Sequence, residues 1–185
     1  EPLARGEGFQ FVDEVKGGAI PFNFIPAVEK GAREVLTQGF IAGYPMQDIK
    51  VTVYDGKSHP VDSKEVAFVA AGRKAMLDAL AKASPTLLEP IAKLTITAPT
   101  VTLGDIAGDL ASRRGQVLNT VATSSTSMEI LATVPLAEMD GYAARLNAMT
   151  QGAAVFTFEF YAYQPAPMQK QQELAAKYQR KDEDD

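Results

Sequence analysis

The chain has no cysteine, no tryptophan and a single histidine, His59. Without cysteine there is no disulfide scaffold and no thiolate nucleophile, and one histidine alone cannot supply the ligands of a zinc site. The lack of cysteine sits easily with a reducing cytoplasm. No apolar run approaches the roughly 18 residues of a membrane span, and no basic-then-apolar signal segment opens the chain. The expectation is a soluble cytoplasmic protein with no membrane partner. Positive charge is not in excess either: 18 Lys and Arg stand against 23 Asp and Glu, a net charge of -5. The balance is 10 against 11 over residues 1–87, 4 against 7 over 88–166 and 4 against 5 over 167–185. A nonspecific nucleic-acid coat is therefore excluded, and any RNA contact has to come from shape and a few placed groups. There is also no Gly-x-x-x-x-Gly-Lys-Ser/Thr loop, so these residues do not hydrolyse a nucleotide. No serine or cysteine nucleophile can be assigned a base and an orienting carboxylate.

What is present describes a folded chain of 185 residues, 46% of them hydrophobic, long enough for one large domain or two small ones. It begins at Glu1 rather than methionine and reaches Phe9 and Phe11 almost at once, which reads as a piece cut from something longer. In the first half, Phe9 to Val15 is strand-like and Gly17-Gly18 breaks it. Pro26 then opens a helix through Val28, Ala32, Val35 and Leu36 that ends near Gly39. A second strand runs from Ile49 to Tyr54 into the turn Asp55-Gly56. Asp62 and Glu65 have the spacing of a capping box, and Val66, Val69, Ala70, Leu77 and Leu80 recur at helical spacing, so a long helix is expected to start near Ser63. Two or three strands are few for two helices, and a further strand before Glu1 is expected. Ser84-Pro85 closes the long helix and marks a domain boundary.

In the second half, Ala92, Leu94, Ile96 and Ala98 alternate with Lys93, Thr95 and Thr97, a strand with one buried face. A helix with Ile106, Ala107 and Leu110 on one side stops at Gly115. Strands over Gln116–Thr123 and Met128–Val134 flank a Ser/Thr turn, a helix is predicted over Leu136–Met149, and Ala154 to Ala162 form the last strand. The order β-α-β-β-α-β is the ferredoxin-like arrangement. A short helix over Met168–Arg180 and an acidic end follow. The fold class is α+β: two α/β sandwich domains, 1–87 and 88–166, with a C-terminal helix and tail at 167–185.

Three groups of residues bear on function. His59 lies between a strand and a helix, and Pro60 pushes it into an extended form that holds the imidazole out. It is either a solvated loop residue or a contact that stacks on, or hydrogen-bonds to, nucleic acid. Asp105 and Asp109 share a helix face at i,i+4, where acids complement the helix dipole without needing a substrate. Arg113-Arg114, at the end of the same helix, read either as helix-end electrostatics or as a phosphate clamp.

Several segments together resemble the last two domains of bacterial elongation factor G. They are His59-Pro60-Val61-Asp62-Ser63-Lys64-Glu65, Leu87-Leu88-Glu89-Pro90-Ile91, the run Gly104 to Gln116, Val134-Pro135-Leu136-Ala137-Glu138-Met139 and Met149-Thr150-Gln151-Gly152, joined by Gly17 to Pro21, Ile25-Pro26-Ala27-Val28 and Gly43-Tyr44-Pro45. The resemblance implies a fragment of a translational GTPase that promotes tRNA–mRNA translocation. Its first domain would be like the second domain of a small-subunit ribosomal protein, and its second would be the ferredoxin-like unit. It also implies binding to the ribosome, with rRNA of both subunits, tRNA and mRNA at the decoding region and the missing domains of the same chain as partners. The protein would act as a monomer, and GTP and magnesium would belong to the missing N-terminal domain. Ser58, His59, Pro60, Val61, Asp62 and Ser63 would form the tRNA/mRNA-contacting tip, with Gly17 and Gly18 in an adjacent loop. Arg113, Arg114 and Gln116 would contact large-subunit RNA. No catalytic residue and no metal ligand are expected within the chain. Pro60, Lys64 and Phe22-Asn23-Phe24 depart from the family pattern. The alternatives are a paralogue working in ribosome recycling, rescue or stress, and a ferredoxin-like interaction domain unrelated to ribosomes.

Overall fold

In the computed structural model, which describes residues 1–59 and 63–178, Pro26 sits in the first turn of helix α1 (Ile25–Gln38). Its missing N–H costs nothing there because the first helical amides have no partner within the helix. The helix ends at Gly39, whose φ of 77° suits glycine. It buries Ala27, Gly31, Ala32, Val35 and Leu36. Strands β1 (Phe9–Asp13) and β2 (Ile49–Val53) flank it in sequence and pair in parallel, Phe9 opposite Ile49 and Asp13 opposite Val53. The crossover helix is what a parallel pair requires.

Helix α2 (Glu65–Ala83) begins two residues later than the capping pattern predicts. Lys64 is its N-cap and makes no side-chain capping bond. Glu65 is the first helical residue, so it cannot serve as the third residue of a capping box, and Asp62 lies outside the described residues. The Ser63 hydroxyl instead accepts the His59 N–H at 2.8 Å, which keeps Ser63 in the turn. The buried stripe is Phe68, Gly72, Met76 and Leu80. Val66, predicted to face inward, is 71% exposed. The reason is a close helix crossing: Gly31 rests on the Val69 carbonyl, and a Cβ at Gly72 would lie 2.5 Å from the Val28 carbonyl oxygen. Glycines that let two backbones approach set the face, and a hydrophobic pattern does not register them.

Helix α5 (Met168–Lys177) belongs with these elements, since Glu1–Leu87 and Pro167–Asp185 form one compact unit and Leu88–Ala166 the other. Within the first unit the Gln171 side chain accepts the Leu87 N–H at 3.1 Å, and the Tyr178 ring lies on Gly43.

The second unit comprises β3 (Leu88–Pro99), α3 (Leu103–Ser112), β4 (Gln116–Ala122), β5 (Ser127–Pro135), α4 (Tyr142–Thr150) and β6 (Val155–Pro165). Its antiparallel sheet has the order β4-β5-β3-β6, the ferredoxin-like arrangement read from the sequence. Leu94, Ile96, Ile106, Leu110 and Ile130 are fully buried, each worth about 1.5–3 kcal/mol. The helix expected over Leu136–Met149 divides into a 3₁₀ turn at Leu136–Glu138 and then α4, with Gly141 in the left-handed region (φ 68°) between them. Phe156 meets Tyr142 edge to face at 5.1 Å, while Phe158 and Phe160 stay exposed along the edge strand.

Candidate functional site

The predicted tip is built on a small apolar cluster. Ile20, Ala27 and Phe68 are buried together, with Val15, Phe24, Val53 and Val69 packed against them and the Phe24 ring stacked on Phe68 at 4.5 Å. Two loops hang from this cluster. One carries Gly17 and Gly18, consecutive left-handed residues (φ 62° and 68°) facing open space. The other runs from Tyr54 to His59. Ile20 joins them by packing on Gly56, where a Cβ would lie 2.5 Å from the Ile20 side chain. The structure thus brings the Gly17-Gly18 loop beside the histidine loop.

The histidine turn is closed from both ends. His59 donates its N–H to the Ser63 hydroxyl at 2.8 Å, and the Ser63 N–H donates back to the His59 carbonyl at 3.3 Å. His59 and Ser58 are exposed. Pro60, Val61 and Asp62 lie outside the described residues. Phe22, 87% exposed, and Tyr54, 74% exposed, belong to the same two loops. Neither is among the predicted site residues, although Phe22 belongs to a segment that departs from the family pattern.

The second predicted site is the corner between α3 and β4, where both arginines have partners within the chain. Gly115 was expected to end α3 in the left-handed region, but Arg114 occupies it with φ 61°. The Gly115 N–H bonds to the Leu110 carbonyl at 2.7 Å and the Arg114 N–H to the Ala111 carbonyl at 3.1 Å, a Schellman closure. Gly115 is required for space: a Cβ there would lie 2.9 Å from the Leu110 oxygen and 3.0 Å from the Thr133 oxygen.

Both arginines are engaged. Arg114 forms a bidentate pair with Glu89 at 2.7 and 2.9 Å and reaches Glu138 at 3.0 and 3.2 Å. These carboxylates hold its guanidinium pKa above the ordinary value, the Glu89 hydrogen bonds contributing most. Arg113 donates to Asp109 at 2.9 Å and to the carbonyls of Glu138 and Asp140 at 2.6 and 3.0 Å. Its guanidinium lies 5.4 Å from the Tyr142 ring centroid. Asp109 also receives Arg145 at 3.1 Å, so the Asp105–Asp109 pair divides: Asp109 is tied inward and Asp105 is exposed. The Tyr142 hydroxyl is buried and has no hydrogen-bond partner among the described residues. Burial, with the Asp109 carboxylate adding to it, pushes this phenol up to about 12. Gln116, at the start of β4, is exposed. Glu89 and Glu138, which hold Arg114, were missed as partners; both lie in the segments that carry the family resemblance, but nothing in the sequence pairs them.

Among the described residues no group of three or more His, Cys, Asp or Glu side chains could hold a metal ion, and no helix is long and apolar enough to cross a membrane. A cavity of about 370 Å³ beside β1 and β2 has Asp48 as its one charged lining group, and that carboxylate already accepts the Gly6 and Gly8 N–H groups at 3.1 and 2.9 Å.

Comparison with known proteins places both units. The family described as elongation factor G, domain IV matches residues 1–84, and the elongation factor G C-terminus matches residues 86–174. Two elongation factor G proteins from strains of Dehalococcoides mccartyi are 51% and 50% identical over 167 residues, 90% of this chain. The chain spans 24% of the length of each. A crystal structure from Thermus thermophilus superposes with a TM-score of 0.77 at 36% identity, covering 95% of this chain and 26% of that one. Two family matches in sequence order, half of the residues identical to named members and a shared fold lead to one conclusion: the chain belongs to the elongation factor G family and carries its fourth domain followed by its C-terminal domain.

Proposed function

We propose that this chain is the ribosome-facing end of a translational GTPase that moves tRNA and mRNA through the ribosome. The first unit acts by occupation. Its residues Ser58 to Ser63, with the loop of Gly17 and Gly18, enter the decoding region and hold tRNA and mRNA. The second unit rests on large-subunit RNA, with Gln116 at the contacting corner. The mechanism needs rigidity more than reactive groups. What carries the reading is exposed Ser58 and His59, with the His59 N–H held by Ser63, near a buried cluster in a chain matching elongation factor G over 90% of its length.

GTP and magnesium belong to the remainder of the parent protein. The residues here do not fit such a site, since the sequence has no phosphate-cradling loop. The parent works as a monomer in the cytoplasm, with the ribosome, tRNA and mRNA as partners. The test is rapid-mixing translocation with His59→Ala in the whole protein. Translocation is expected to slow about tenfold with ribosome-stimulated GTP hydrolysis retained, the loss of about one good contact. Equal translocation rates for variant and parent would remove His59 from the mechanism.

A further inference from the structure

We infer that Arg114 is a positioning residue: its clamp to Glu89 and Glu138 fixes the α3–β4 corner in the shape that presents Gln116 to the ribosome. This rests on the ribosome-binding reading and differs from the direct RNA contact that the family resemblance implies for the arginine itself.

Four observations carry it. First, Arg114 holds a left-handed φ of 61° beside a glycine that does not use one. A side chain at that position costs backbone energy that glycine would avoid, and the pairing of the guanidinium has to offset that cost. Second, most of its donors are taken: Nη1 and Nη2 grip the two Glu89 oxygens at 2.7 and 2.9 Å, while Nε and Nη2 share one Glu138 oxygen at 3.2 and 3.0 Å. Arginine has five N–H groups in a fixed fork, and this geometry uses four hydrogen bonds of it. Third, Glu89 is only 13% exposed, so a phosphate that captured Arg114 would leave a nearly buried carboxylate unpaired. Fourth, the arginines of the corner are matched by carboxylates. Arg113 and Arg145 pair with Asp109, Arg114 pairs with Glu89 and Glu138, and the two groups meet where Arg113 donates to the Glu138 carbonyl. Such a cluster attracts phosphate weakly, but it ties the first residues of β3, the end of α3 and the 3₁₀ turn before α4 into one block.

The test is equilibrium ribosome binding by the whole protein across a range of salt concentrations, for the parent, Arg114→Gly, Arg114→Lys, Glu89→Gln and the double variant Arg114→Gly with Glu89→Gln. Arg114→Gly preserves the left-handed cap and deletes only the clamp. Glu89→Gln leaves the backbone untouched and keeps the test readable should the glycine variant fail to fold. Each single variant is expected to weaken binding about tenfold, and the double variant to match the weaker single within about threefold, because the two residues act as one unit. The slope of log affinity against log salt should equal the parent's, since no phosphate contact is lost. Lysine should not rescue, because it cannot form the bidentate pair. A slope shallower by about one in Arg114→Gly, with normal binding by Glu89→Gln and Arg114→Lys, would show a direct phosphate contact and overturn the inference alone. Parental binding by every variant overturns it too. A parent protein that does not bind ribosomes in any nucleotide state overturns the proposed function itself.

Discussion

Ile20 seals the tip by packing on Gly56, so tightly that a Cβ at Gly56 would lie 2.5 Å from both Cδ1 and Cγ1 of Ile20. Gly56 has no left-handed φ, so it is glycine for space rather than for conformation. Gly56→Ala is therefore expected to destabilise the first unit by about 1–3 kcal/mol through overpacking, and Ile20→Val in the same chain to recover part of it. Urea denaturation of the single and double variants measures both effects. An additive loss in the double variant would show that the Ile20–Gly56 contact is not the cause.

Gly72 sets two effects against each other. Alanine gains about 1 kcal/mol of helix propensity over glycine, but its Cβ would lie 2.5 Å from the Val28 carbonyl oxygen, which cannot rotate away. Overpacking against backbone costs about 1–3 kcal/mol or more, so the steric term wins. Gly72→Ala should lower the unfolding midpoint, whereas the same change at Gly108, which has open space around it, should raise it.

The buried Tyr142 hydroxyl gives an alkaline signature. The phenol stands near 12 in the folded chain against about 10 when unfolded, so the unfolded state loses its proton first. Stability is then fully present below about pH 10 and falls as pH rises toward 12, by at most about 2.7 kcal/mol in all. Tyr142→Phe keeps the ring packed on Phe156 and removes an unpartnered donor, so it should be neutral or slightly stabilising at pH 7 and should flatten the alkaline limb. Thermal melts from pH 7 to 11 read both.

Closing the histidine turn depends on Ser63. Ser63→Ala removes the acceptor of the His59 N–H, a bond worth about 0.5–1.5 kcal/mol. Amide exchange at His59 is expected to speed up by about three- to tenfold with global stability little changed. Unchanged exchange would mean that the turn is held by other contacts.

The sequence showed the element order well wherever one neighbour decides the outcome. Alternation along β3 and Pro26 in the first turn of α1 read correctly because the pleat and the proline ring act locally. It read less well where a distant partner intervenes. On α2, Val69, Leu77 and Leu80 face inward as the pattern predicts, while Val66 and Ala70 do not, because a backbone crossing at Gly31 and Gly72 shifts the buried stripe. At the candidate sites, the residues of the tip turn stood out by their chemistry, yet its link to the Gly17-Gly18 loop passes through Ile20, which the sequence marks only as apolar.

The amino-acid order by itself determined the class of both units, the absence of a phosphate loop and the family, because these follow from local patterns and from segments recognisable in a row. Tertiary structure decided which groups the two arginines pair with. Whether Arg113 and Arg114 face solvent or bind inward depends on Glu89, Asp109, Glu138 and the carbonyl of Asp140, some of them 24 to 27 positions away. Ion pairs over that separation exist only once β3, α3 and the turn before α4 are packed, so no spacing rule along the chain could have assigned them.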